Sequence, residues 1–303
     1  MKWFLPTLLL AHTLLAQEVP PASTGTVAQL QIALDRNGFG VGFIDDKDGA
    51  RTQTALADFR AARGLSLPAA RQALAAEARA ALRTYTLTQQ DFDQLGEAPK
   101  DFLDASRVPR MAYPSIEDLL SEKFHVSPLY LHRLNSGIAA WDSSLVGHDV
   151  VVPNVGVTAA RPLASRMEID CRHFRVRAFD TNDELIASFP CSIALDPARV
   201  PTGELRVVTF APNPNYTFDP ANFPESARAR AIGQKLIIPA GPRNPVGVYW
   251  LSLSAPGFGI HGTNHPETIG RRESHGCFRL TNWDVVALAS LLSAGTPVKV
   301  IAP

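Results

Sequence analysis

The chain predicts a multi-domain fold: a small all-α module, then a βααβ module, then a β-rich domain built as a mixed β-sheet or sandwich. Three observations point there. Near the N-terminus apolar residues recur at helical spacing, as at Val27, Leu30 and Leu34. After Met167 the pattern turns strand-like, with alternation over Phe174–Phe179 and a turn at Asp180–Asp183. A length of 303 residues leaves room for two or three domains.

Residues 1–16, MKWFLPTLLLAHTLLA, join Lys2 to an apolar run from Trp3 to Leu15 and end on a small residue, Ala16. The run is too short for a bilayer, so a signal peptide cleaved after Ala16 is expected; an uncleaved anchor is the alternative. No cysteine follows the cleavage point, which disfavours a lipid anchor. The expected product is exported, with no stable membrane insertion after cleavage. Residues 26–66 form the helical module, with Val27–Asn37 ended by Gly38 and Thr54–Arg63 closed by Gly64. The acidic loop between them is no calcium loop, because Ile44 stands where the first aspartate belongs.

Residues 67–110 are expected to be helical or irregular connection, Ala-rich over 68–83 and then mixed, with Pro99 and Pro109. Over 111–155, Ser115 caps a helix bearing Leu119, Leu120 and Phe124, and Ser127-Pro128 opens a second with Leu131 and Leu134. Asp149–Pro153 is its closing strand. The β-rich domain occupies 165–302, with strands at Phe174–Phe179, Leu185–Leu195, Leu205–Phe210 and Gly247–Leu253. Asn282 is the expected cap of a helix over Trp283–Leu292, and Val298–Ile301 is the last strand.

Lys plus Arg equal Asp plus Glu at 29 each, with no charge run, so nucleic acid is an unsuitable partner. Three cysteines are an odd number for an exported chain. Cys171 and Cys191 lie 20 residues apart on what read as neighbouring strands. A disulfide and two unpaired core thiols both fit, because sequence does not fix the register.

Ile260–Leu280, IHGTNHPETIGRRESHGCFRL, carries the chemistry. His261 precedes Cys277 by 16 residues, and Cys277 sits in a Ser-His-Gly-Cys turn. A thiol attacks as thiolate, and a nearby imidazolium lowers its pKa. Gly276 leaves bare backbone beside the sulfur, where amides can meet an oxyanion. A buried structural thiol, a zinc site of His261, His265, His275 and Cys277, and a plain glycine-rich loop are the competing readings. The separations match no zinc pattern in common use.

His261-Gly262-Thr263, Gly270 and Ser274-His275-Gly276-Cys277 followed by Arg279 resemble the signature of L,D-transpeptidase catalytic domains of the YkuD type, over roughly residues 165–302. Phe278-Arg279 departs from members with a hydrophobic residue then Asn at this point. LQIAL, FIDDKDG and ALADFRAARGL resemble a peptidoglycan-binding helical module, and YPSIEDLLSEKFHVSPLYLHRLN with LVGHDVVVPN resembles a LysM domain.

The resemblance implies that Cys277 attacks a peptidoglycan stem peptide to form a thioester, with His261 moving the proton. Gly262 or Thr263 would orient the imidazole, and amides near His275 and Gly276 would hold the oxyanion. Ser274 and Arg279 would touch substrate, Arg279 through its forked donors or else as an internal anchor. His265 would stand apart. No cofactor or metal is implied. Partners are peptidoglycan stem peptides and glycan, with a diamino-acid amine, a wall-attached protein or water as acceptor. Water would make the enzyme an L,D-carboxypeptidase or an amide hydrolase. A non-catalytic wall-binding protein is the reading from another class. In the transpeptidase reading the resemblance implies an exported product in periplasm or cell wall, whose N-terminal modules, residues 26–155, raise affinity for insoluble wall and are dispensable for chemistry on small soluble fragments.

Overall fold

The computed structural model describes residues 26–77, 80–156, 161–223 and 225–302, and the expected signal peptide lies outside them. Among the described residues no helix is long and apolar enough to cross a membrane. The chain opens with helices α1 (Val27–Arg36), α2 (Ala50–Arg63) and α3 (Leu67–Glu77). Thr26 and Gln29 form a reciprocal capping box at the start of α1. Gly64, left-handed at φ 59°, ends α2. Next come β1 (Leu82–Thr86), the short helices α4 (Gln89–Phe92) and α5 (Phe102–Ala105), then α6 (Ile116–Lys123), α7 (Pro128–Leu134) and β2 (Asp149–Pro153). Ser115 and Ser127 cap α6 and α7 by accepting from the Asp118 and Tyr130 amides.

The expectation of helical or irregular connection over 67–110 needs correction. Leu82–Thr86 is a strand that pairs antiparallel with Asp149–Pro153, Leu82 opposite Pro153 and Thr86 opposite Asp149. The opening strand of the βααβ unit thus lies upstream of residues 111–155, and α4 and α5 sit in the chain between. One hydrophobic core unites the helical module with this unit, bringing Leu34, Phe39 and Leu56 together with Leu120, Phe124 and Val152.

From residue 166 the chain builds a curled sheet. Its strands are β3 (Arg166–Asp170), β4 (Arg175–Phe179), β5 (Leu185–Pro190), β7 (Gly203–Pro212), β10 (Tyr249–Leu253), β11 (Gly259–His261), β13 (Phe278–Arg279) and β14 (Pro297–Ile301). The short pairs β6 (Ile193–Ala194) with β12 (Arg272–Ser274), and β8 (Tyr216–Phe218) with β9 (Leu236–Ile238), lie outside it, as do helices α8 (Ala227–Ile232) and α9 (Asn282–Ala289). The sheet order is β13-β11-β10-β7-β14-β3-β4-β5. Only β11 with β13 and β14 with β3 run parallel, which makes the sheet mixed. Ten-residue β7 serves two neighbours: its first half pairs with β14 and its second with β10. That division bends the sheet around a core of Ile169, Val176, Leu251, Ile260, Phe278 and Leu288.

Thr281 caps α9, its hydroxyl accepting from the Asp284 amide, where Asn282 was expected to do so. The Asn282 side chain is engaged elsewhere. Cys171 and Cys191 are free, fully buried thiols, so the disulfide alternative gives way to unpaired core thiols. Burial lifts Cys171 to about 11 and Cys191 higher still, which leaves both protonated and inert at neutral pH.

Candidate active site

β11 and β13 place the two candidate side chains, His261 and Cys277. They pair parallel with Ile260 opposite Phe278 and His261 opposite Arg279, and the buried Ile260 and Phe278 side chains pin both strands to the core. Cys277 immediately precedes β13, and His261 ends β11. Both line one cavity of about 650 Å³, with Arg279 and Trp250 beside them. Phe102, Tyr216 and Phe223 form another part of its lining.

His261 is held from two sides. Its Nδ1 lies 2.6 Å from the Gly262 carbonyl oxygen, and its ring stacks on Trp250 at 5.4 Å between centroids and 15° between planes. Facing a carbonyl, Nδ1 must carry the proton, which leaves Nε2 with its lone pair. The Thr263 hydroxyl, the other expected partner of the ring, accepts from the His265 amide at 3.0 Å. Burial, reinforced by the Arg279 charge, depresses the His261 imidazole to about 3.

Cys277 sits where its Sγ donates to the Gly257 carbonyl at 3.7 Å. Burial pushes the thiol above its ordinary value, against opposing pulls from the Gly259 amide and Arg279. The sequence suggests a thiolate beside an imidazolium. The buried site instead favours a neutral thiol and a neutral imidazole, because each charged form would lose its water.

The turn before Cys277 is tied from within. Ser274 is buried, and its hydroxyl donates to the Cys277 carbonyl at 2.6 Å while accepting from the Gly276 amide at 3.2 Å. Ser274 thus ties the turn, and it also lines the cavity that holds Cys277. The same bonds occupy the Gly276 amide. A Cβ at Gly276 would come within 3.0 Å of the Phe258 ring, which explains glycine there. His275 is exposed, with Nε2 3.0 Å from Glu225 and its ring edge-on to Phe223 at 4.8 Å. Arg279 makes one long contact to Glu273, 3.5 Å, and its buried Nε has no partner among the described residues. His265 pairs with Glu267 on the surface.

Among the described residues no three His, Cys, Asp or Glu side chains cluster as metal ligands; His261, His265 and His275 face separate partners. Sequence reasoning missed Trp250, which lies on β10 directly opposite His261, and it read Asn282 only as a helix cap. The Asn282 amide donates to Glu122 of α6 at 2.8 Å and to the Pro242 carbonyl at 3.0 Å, and its carbonyl accepts from the Val248 amide at 3.1 Å. It braces the chain behind Gly262 from the N-terminal region.

Residues 165–300 match the L,D-transpeptidase catalytic domain, the YkuD family. The chain is 28% identical over 181 residues to the putative L,D-transpeptidase YkuD of Bacillus licheniformis, covering 60% of this chain and 90% of that one. It is also 28% identical over 196 residues to the probable L,D-transpeptidase YcfS of Escherichia coli K12, covering 61% of this chain and 58% of that one. A solved catalytic domain of an E. faecium L,D-transpeptidase aligns with 47% of this chain and 100% of its own, at 19% identity and a TM-score of 0.33.

Proposed function

With an L,D-transpeptidase catalytic domain over residues 165–300 as premise, we propose that the protein transfers peptidoglycan stem peptides through a thioester on Cys277. The observation that carries this reading is the shared cavity of Cys277 and His261, with Gly262 fixing the imidazole so that Nε2 is the free base. As Sγ attacks the donor amide carbonyl, its proton passes to Nε2. The negative oxygen is met by the Cys277 amide. The C–N bond then breaks, the leaving D-amino acid takes the proton from His261, and the acyl group stays on sulfur. An acceptor amine attacks the thioester, gives its proton to His261 and releases the thiol. Arg279, with forked donors and one long side-chain contact among the described residues, suits a donor carboxylate.

The N-terminal region, from its resemblance to wall-binding modules, would hold the enzyme on peptidoglycan after export. The acceptor is a diamino-acid amine in this reading. Incubation with disaccharide-tetrapeptides and mass spectrometry of the products tests it: cross-linked dimers and released D-alanine are expected. Tripeptides without dimers would make water the acceptor, and unchanged substrate would overturn the reading.

A further inference from the structure

The cavity beside Cys277 has a wall that residues 165–300 do not supply. Between α4 and α6 the N-terminal region sends out a loop whose base is shut by a bridge of Leu95 with Tyr113, the Gly96 amide donating to the Tyr113 carbonyl at 2.9 Å. The loop is fastened at its far side. The Met111 amide donates to the Ala240 carbonyl at 2.9 Å, and the Arg243 amide returns a bond to the Met111 carbonyl at 3.2 Å. Gly241 makes that approach possible: its φ is +141°, and a Cβ there would stand 2.3 Å from the Met111 oxygen. Arg228 of α8 donates to the Lys100 carbonyl at 2.9 Å and pairs with Asp101 at 3.2 Å. The loop side chains Phe102, Ala105 and Met111 share a small core with Phe218, Ala229, Leu236 and Ile238 of the β8–β9 segment.

Phe102 is the part of this loop that reaches the site. Its ring stacks on Phe218 at 4.2 Å and 20°, is half-buried, and lines the cavity that holds Cys277 and His261. Arg199 and Arg279 line the same cavity and supply its positive charge. A ligand that suits both features carries a carboxylate and an aliphatic, C–H-rich stretch, the latter being what an aromatic surface covers.

We propose that Phe102 is a specificity-determining contact for the peptide donor, so that the N-terminal region completes the substrate site as well as tethering the enzyme. This rests on the transpeptidase reading above for the donor's identity. The contact is to the aliphatic part of the stem peptide.

The test uses the full chain with Phe102→Ala and Phe102→Leu. In a Cys277→Ala background, calorimetry measures the Kd of a tetrapeptide donor; in the native background, KM and kcat are measured along with the rate of Cys277 alkylation by iodoacetamide, which needs no aromatic wall. Phe102→Ala should raise Kd and KM about five- to tenfold. Phe102→Leu should recover part of that loss, and alkylation should stay within about twofold of the native rate. Unchanged Kd and KM in both variants would overturn the assignment. So would an equal loss of donor binding and alkylation, the mark of a collapsed site. Donor binding that depends on Phe102, in a chain that transfers no acyl group, would sink the transpeptidase reading and leave this contact standing.

Discussion

At the scale of single residues, the charge state of Cys277 and His261 decides how the site works. His261 is depressed to about 3, so its folded-state pKa lies below the ordinary 6.5. It stays a neutral base as pH falls from 6.5 towards about 3, and only below that does protonation remove it. The Cys277 thiol is shifted the other way by burial, so it remains protonated at neutral pH. The rate of Cys277 alkylation should therefore keep rising beyond pH 9, and the acid limb of kcat/KM should fall below pH 5. Stopped-flow alkylation across pH 5–10 checks the first. A plateau already reached at pH 7 would mean a thiolate–imidazolium pair and contradict the neutral-pair account. Cys277 and His261 stood out in the sequence because a thiol, an imidazole and glycines lie together in one short stretch, Ile260–Leu280. The bonds of the Thr263 and Ser274 hydroxyls did not, since spacing does not say which way a hydroxyl points.

At the scale of elements, helix α2 is clamped to β4 and β5 by Asp58. Its carboxylate accepts from Arg177 Nε at 3.0 and 3.1 Å and from the Ser188 hydroxyl at 2.6 Å, and lies 3.4 Å from Arg175 Nε. Arg175 is fully buried, and burial brings its guanidinium down to about 10. Removing the carboxylate takes away that cation's first counter-charge and leaves only the more weakly acting Asp284. Asp58→Ala should therefore lower unfolding stability by about 3 kcal/mol, more than a surface pair would cost. Urea denaturation at pH 7 measures it, and a loss below about 1 kcal/mol would contradict a structural role for the clamp. Helices α1, α6 and α7 were readable from local signals: the Val27, Leu30 and Leu34 stripe closed by Gly38, Ser115, and Ser127 before Pro128. Strand β1 was not. Leu82–Thr86 follows an Ala-rich run that reads as helix, and it becomes a strand by pairing with Asp149–Pro153, far along the chain. A short-range pattern carries no trace of that partner.

At the scale of the whole molecule, the N-terminal region is packed into the catalytic domain, where the sequence suggested modules dispensable for chemistry. Arg51 donates to the Ile269 carbonyl at 3.0 Å, Glu122 holds Asn282, and Trp283 stacks on His125 at 4.9 Å. Deleting residues 1–159 would bare Arg175 and the Trp283 side of α9 to water. A 160–303 fragment should therefore melt several degrees lower than the full chain and turn over soluble tetrapeptide more slowly; equal melting and equal turnover would show the N-terminal region to be a detachable tether. The β-rich class of the second half was legible from its alternation, whereas its docking to the helices was not, because interfaces between regions leave no periodic mark in either. The central claim is that Cys277 carries the acyl group. Intact-protein mass spectrometry after brief exposure to disaccharide-tetrapeptide tests it most directly. The account predicts one adduct per chain, equal to the donor less its terminal D-alanine, mapped to the peptide holding Cys277 and absent from Cys277→Ala. An adduct that persists in Cys277→Ala, or that maps to a serine, would contradict it.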